Sequence, residues 1–308
     1  MNKLHFSVFL IALLVASCSS MPPEATASLT PIPPNTLTPS LTATLRPPST
    51  PTEMRSEIVK CEELGHTTTG IFFNEGVVIT YFGTMGENNQ SIGMTLAYSG
   101  PNVEGRFFYP DKYKDKSDET KVRGCLQKGR NFTLYAYHDD SVLAVMHGQF
   151  PETDPKGSWE DKLVGEVIIG IWEDKLATKT SSIYLSYDHG NSGTLDHQYE
   201  IAGVKDDQII DKAAQELLSA VAREDKESVA QMMEYPIVAV IDGERKEVMN
   251  QDEFLLNYEK IFTDEFKVIL ADTRPHHLDA KWEGVMLGSG DIWFNAEGKV
   301  FVINNYGG

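Results

Sequence analysis

No stretch of the 308-residue chain is rich in lysine or arginine, and none carries the metal-ligand spacing HExxH or the phosphate-loop spacings GxGxxG and GxxxxGK[ST]. Against 45 acidic residues stand only 27 basic ones, a net charge of −18, divided as −7 over residues 55–205 and −11 over residues 206–308. Such a field repels nucleic acid and anionic lipid headgroups alike. Nor is there an apolar run near the roughly 20 residues that a membrane-spanning helix needs. Cysteine occurs only at positions 18, 61 and 125, and the segment Met21–Met54 has no aromatic residue. What remains is an acidic exported-protein pattern with no motif that implies a cofactor or a metal.

The N-terminus has a basic Lys3, an apolar run from Phe6 to Ala16 interrupted by Ser7, and then "VASC", Val15 to Cys18. At about 11 residues the run fits an export signal. It resembles the signal peptide of bacterial lipoproteins, in which a Cys after two small residues receives a diacylglycerol and becomes the new N-terminus. The resemblance implies cleavage before Cys18, lipid attachment at its thiol, and a protein held on a bacterial membrane facing the cell envelope or exterior. Met21–Met54 holds nine of the fifteen prolines and eight threonines. Such a segment buries too little surface to offset its ordering entropy, and proline keeps it extended at about 3.1 Å per residue. It is expected to be a disordered tether.

The expected organisation is therefore a signal peptide over 1–18, a tether over 19–54, a β-rich domain over 55–205 and an α+β domain over 206–308. In the third segment Phe132, Leu134 and Ala136 alternate with Thr133, Tyr135 and Tyr137, the two-residue period of a strand with one buried face. Gly100, Gly105, Gly129 and Gly148 punctuate similar runs, which predicts an antiparallel meander closed as a barrel or packed as a sandwich. "VEGRFFY", "HGQF" and "GIW" resemble a β module of bacterial envelope proteins over about Tyr81–Tyr187, a likeness that brings no catalytic residue. Cys61 and Cys125 form either one disulfide or two buried thiols. The bridge is favoured by export, and its loop of about 64 residues is worth roughly 4 kcal/mol in the chain-entropy model.

After Lys205, Ile209, Ile210, Ala213, Leu217 and Val221 line one face of a helix. A second helix is expected over Lys226–Glu234 with Asp225 as N-cap, then a hairpin turning at Asp242-Gly243, then a third helix capped by Asn250 with Glu253 three residues on. Strands complete the pattern. "YPIVAVIDG", "EFLLNYEKIF" and "WEGVMLGSGDIWFN" are similar to small exported bacterial NTF2-like proteins without assigned activity. The resemblance covers about Asp207–Asn305 and implies a curved sheet wrapped around a helix as a cone.

Within "GVMLGSGDIWF", the glycines 284, 288 and 290 lie between two strand-like segments with no helix to follow. A phosphate loop needs a helix N-terminus facing the anion, so a β-turn at Gly288-Ser289-Gly290 is expected instead. Candidate acid–base residues are His276, His277, Asp279 and Asp291, and the NTF2-like likeness adds Tyr258, Trp282 and Trp293 as walls of an apolar pocket. Leu278, Ala280 and Trp282 are expected to point inward, with Asp279 outward. "DHGNSGTLDH", Asp188 to His197, reads as turn capping rather than a metal site, and "DKYKDKSDE", Asp111 to Glu119, as a solvated loop. The expected function is a membrane-anchored, surface-exposed binding or interaction module, its small-molecule or protein ligand undefined. The alternative is an NTF2-like lyase, isomerase or hydrolase acting on a small apolar envelope substrate.

Overall fold

The alternation in the first folded region resolves into eight antiparallel strands. A computed structural model of the chain describes residues 61, 74–110, 119–127, 130–139, 141–151 and 165–305. Cys18, where lipid attachment is expected, and the segments expected as signal peptide and tether lie outside the described residues, as does the acidic loop except for Glu119. Residues Glu53–Gly308 make one compact unit. Among the described residues no helix is long and apolar enough to cross a membrane.

Strands β1 (Val77–Met85), β2 (Gln90–Ser99), β3 (Asn102–Phe108), β4 (Thr120–Leu126), β5 (Asn131–His138), β6 (Ser141–Gln149), β7 (Val167–Asp174) and β8 (Lys179–Ser192) pair in sequence order. β8 returns to β1, so the sheet closes into a barrel and leaves no edge. The inward positions are large and apolar. Tyr81, Met94, Leu96, Leu134, Met146 and Leu185 are buried in one cluster, and Phe107 stacks on Trp172 with ring centroids 4.5 Å apart. Phe132, Leu134 and Ala136 point inward as their alternation predicts. Cys61 is joined to Cys125 on β4, with Cα atoms 5.3 Å apart.

The second region contains α1 (Asp207–Ala222), α2 (Lys226–Gln231), β9 (Met233–Ile241), β10 (Glu244–Val248), α3 (Gln251–Ile261), α4 (Asp264–Ala271), β11 (Asp279–Lys281), β12 (Gly284–Leu287), β13 (Ile292–Phe294) and β14 (Val300–Ile303). Its sheet has the order β10-β9-β14-β13-β12-β11 and is mixed, since β14 runs parallel to β9 while the other pairs are antiparallel. The caps are those the sequence predicts: the side chain of Asp225 accepts from Ser228 N, and that of Asn250 from Glu253 N. Glu253 Oε2 reaches back to accept from the N–H of Met249, one residue before the cap, a variant of the capping box. Asp242 and Gly243 both adopt positive φ, as a two-residue hairpin turn requires.

Three features depart from the sequence-based expectation. The second helix ends at Gln231, because Met233 already pairs in β9 with Val300. α4 is an extra helix, capped by Thr263 and buried through Phe266 and Leu270, one turn apart. Trp282 is 77% exposed instead of inward, because β11 ends at Lys281 and the strand period stops in the turn that follows. The core of this region also begins before residue 206. Tyr199 and Val204 are packed in the same cluster as Ile210, Leu217, Phe254 and Phe294.

Candidate functional site

A patch of three facing strands prepares the barrel wall for the second region. Gly93 on β2 lies opposite Phe82 on β1 and Phe108 on β3. With no side chain at the centre, the Phe108 ring folds over Gly93, where an added Cβ would sit 2.2 Å from the ring. Phe82 meets Phe108 edge-on at 5.9 Å. The loop between α4 and β11 settles on these two rings. The Arg274 guanidinium lies 3.7 Å from the centre of Phe82, and His277 stacks on Phe108 at 4.3 Å with the planes 10° apart.

Beneath that loop is a polar seam in which each partner answers a specific group. His277 has positive φ, and its Nε2 meets Glu119 Oε1 at 2.6 Å with both side chains fully buried. Arg106 Nε stands 3.4 Å from the other Glu119 oxygen and also pairs with Asp196. On the opposite side of its ring, His277 Nδ1 is 3.1 Å from Thr95 Oγ1, which in turn is 3.3 Å from Thr80 Oγ1. A buried carboxylate is tolerable only with such partners around it. Asn191, at the end of β8, does the work of a neighbouring strand. Its side-chain amide donates to Leu278 O at 2.8 Å and its oxygen accepts from Ala280 N at 2.9 Å, satisfying the outer edge of β11. Tyr199 donates to Asp211 at 2.8 Å and accepts from Leu278 N. Burial, and then the Asp211 charge, hold its hydroxyl well above the ordinary tyrosine range.

Where β8 leaves the barrel, its register with β1 slips by one. Tyr81 pairs with Tyr187 but Thr80 pairs with His189, so Asp188 is an extra residue in a β-bulge. A slip of one residue exchanges the two faces of a strand. It carries His189 to the outer face, beside Thr80, instead of the filled barrel interior. The bulge also places consecutive side chains side by side, and His189 Nδ1 lies 2.8 Å from Asp188 Oδ2. A carboxylate only accepts, so Nδ1 carries a proton toward Asp188, and in the tautomer with that single proton Nε2 offers a lone pair. Nε2 is buried, and no group of the described residues meets it.

Asp188 and His189 form one wall of a cleft of about 420 Å³ whose other walls are Phe82 of the barrel, Asp272, Thr273, Arg274, His276, His277, Leu278 and Asp279 of the α4–β11 segment, and Met286, Gly288 and Ser289 of the β12–β13 hairpin. Gly288 to Asp291 is the turn between those strands, with positive φ at Gly288 and Gly290, as the sequence predicts. The turn is braced by Asp291 Oδ2, which accepts from Ser289 N at 3.2 Å. Burial raises the Asp291 carboxyl above its ordinary value, with the Ser289 N–H acting in the other direction.

His276, His277 and Asp279, expected from the sequence as candidates, thus come together in the cleft wall. The two histidines lie in the loop before β11 and turn to different partners, His277 to Glu119 and His276 Nδ1 toward Asp211 at 3.8 Å. Asp279 is paired with Lys281 at 2.8 Å. Tyr258 is core, stacked on Phe262 at 4.9 Å. Trp293 donates from Nε1 to Gly290 O and meets Phe301 edge-on. Neither of these nor Trp282 lines the cleft. Among the described residues no group of three or more His, Cys, Asp or Glu side chains is arranged to hold a metal. Glu119, Asn191 and the working arrangement of His189 are not evident from sequence spacing; the break in alternation after Ile183, Leu185 and Tyr187 is the one signal of the bulge. Compared with known proteins, the chain matches no family, no curated protein and no solved structure.

Proposed function

We propose that the protein is an exported lipoprotein, anchored through Cys18 and held off the membrane by its proline-rich tether, that binds a small polar ligand in the cleft between the barrel and the second region. The observation that carries the binding part is that cleft: both regions build it, and a buried imidazole nitrogen of a residue in its wall has no partner among the described residues. Leaving such a group unmet costs about 1–3 kcal/mol, a cost that a ligand donor removes on binding. We read the second region as an NTF2-like cone on its helix order and sheet, and its interior supports binding elsewhere. Phe254, Tyr258, Phe262, Phe266 and Phe294 are packed together as core, so the apolar space that an interior site would need is filled with rings. Recognition therefore belongs to the seam.

The anchor and tether reading rests on the lipobox and composition of the first 54 residues. The test of the binding reading uses the full chain in detergent, heated with and without the small-molecule fraction of a bacterial envelope extract. The extract should raise the melting temperature of the wild type. Ser289→Trp, an exposed turn residue at the cleft wall, should abolish the rise while keeping the melting temperature of the unliganded protein. A rise of equal size in the variant would move the site away from the cleft.

A further inference from the structure

The chemistry of the cleft narrows its ligand, provided that the cleft is the binding site proposed above. In the tautomer that carries its single proton on Nδ1, toward Asp188 at 2.8 Å, the buried anchor His189 Nε2 is an acceptor. The His189 side chain is only 7% exposed and Nε2 itself is closed to water, so a ligand donor meets this acceptor only with a small movement of the cleft wall. The charged side chains around it are unequal. Among the described residues that line the cleft, Asp188, Asp272 and Asp279 stand with one Lys or Arg side chain, Arg274, which is laid on the ring of Phe82. Asp279 is already engaged by Lys281, which leaves Asp188 and Asp272 as the carboxylates nearest to serving a ligand. Asp272 and Thr273 also follow the last residue of α4, where the carbonyl end of a helix favours positive charge. The −18 charge of the whole chain concentrates cations near its surface in the same sense.

We propose that the cleft selects small molecules carrying a primary amine. The ammonium group donates one N–H to His189 Nε2 and sets its charge against Asp188 and Asp272. A hydroxyl of the same shape satisfies the imidazole but leaves the carboxylates unanswered, so the charge gives the selectivity. At about 420 Å³ the cleft is at the small end of the range of ligand sites, which limits the ligand to the scale of a sugar or a short diamine.

The test is isothermal titration of the full chain in detergent with three matched pairs: glucosamine and glucose, putrescine and butane-1,4-diol, ethanolamine and ethylene glycol. At least one amine should bind about tenfold or more tightly than its hydroxyl partner, the size expected when a charged hydrogen bond replaces a neutral one. Asp188→Asn, half-exposed and so tolerated by the fold, should reduce that preference, and His189→Leu should weaken the amine whether or not Asp188 is intact. Circular dichroism of each variant verifies folding. Equal binding within every pair, no binding of any amine, or amine binding that neither substitution alters would each overturn the amine assignment. An envelope extract that still stabilises the wild type but not Ser289→Trp would, in those cases, leave the cleft as the binding site and exclude only the amine.

Discussion

Asn191→Ala removes one side chain that the seam uses twice. The amide donates to Leu278 O at 2.8 Å and the oxygen accepts from Ala280 N at 2.9 Å, and Asn191 is almost completely buried. Since β11 is the last strand of its sheet, among the described residues no further strand of that sheet stands on that side to take over either group. Each buried backbone group left unmet costs about 1–3 kcal/mol, so the expected loss for the two is about 2–6 kcal/mol. For a folded unit of this size a kilocalorie shifts the melting temperature by about 2–4 °C, which gives a fall of roughly 4–24 °C. Urea unfolding followed by tryptophan fluorescence and circular dichroism measures it, with the exposed turn residue Asn88→Ala as control. Amide exchange supplies a second readout: Ala280 should lose protection, while Leu134 inside the barrel wall should keep its own up to the global stability of the variant. If Asn191→Ala and Asn88→Ala were both neutral within about 0.5 kcal/mol, water would be replacing the side chain and Asn191 would not be what holds the edge of β11.

Cys18→Ser should move the protein from the detergent phase to the aqueous phase or leave the precursor uncleaved, and unchanged partition without acyl label in either protein would refute lipid attachment. Reduction of Cys61–Cys125, which closes 64 residues, should lower stability by about 4 kcal/mol in the chain-entropy model, and mass mapping should find the bridge in exported protein. Asp291, whose carboxyl is raised by burial, ionises in the unfolded chain first as pH rises. Its contribution is therefore full below the ordinary aspartate value of about 3.9 and is lost as pH passes the raised folded value. Asp291→Asn should thus gain relative stability between acid pH and neutrality, whereas parallel curves for variant and wild type would contradict the shift.

Local regularity made much of the fold legible from the sequence. Phe132, Leu134 and Ala136 had to face a core because nothing else accounts for their period, and Asp225, Asn250 and Asp242-Gly243 carry their caps and turn in the residues themselves. α4 was hidden because its apolar residues also suit a strand, so the Thr263 cap was the deciding signal. Trp282 misled for a related reason: alternation holds only while the strand lasts, and β11 ends one residue before it. The cleft was less legible. His276, His277 and Asp279 were recognisable as candidates, but their surroundings depend on residues far away in sequence. The platform of Phe82, Gly93 and Phe108 exists only once three strands are in register, and Glu119 reaches His277 across 158 positions. His189 is the sharpest example. Its outward direction follows from a single-residue slip against β1, a property of the paired strands that neither strand contains alone.

The central claim, that the seam cleft is a ligand site anchored by His189, is tested most directly by a crystal structure of the wild-type protein soaked with the small-molecule fraction that raises its melting temperature. The account predicts ligand density in the cleft with a donor within hydrogen-bond distance of His189 Nε2. Density inside the second region or on the outer barrel wall, with the cleft left to solvent, would contradict it.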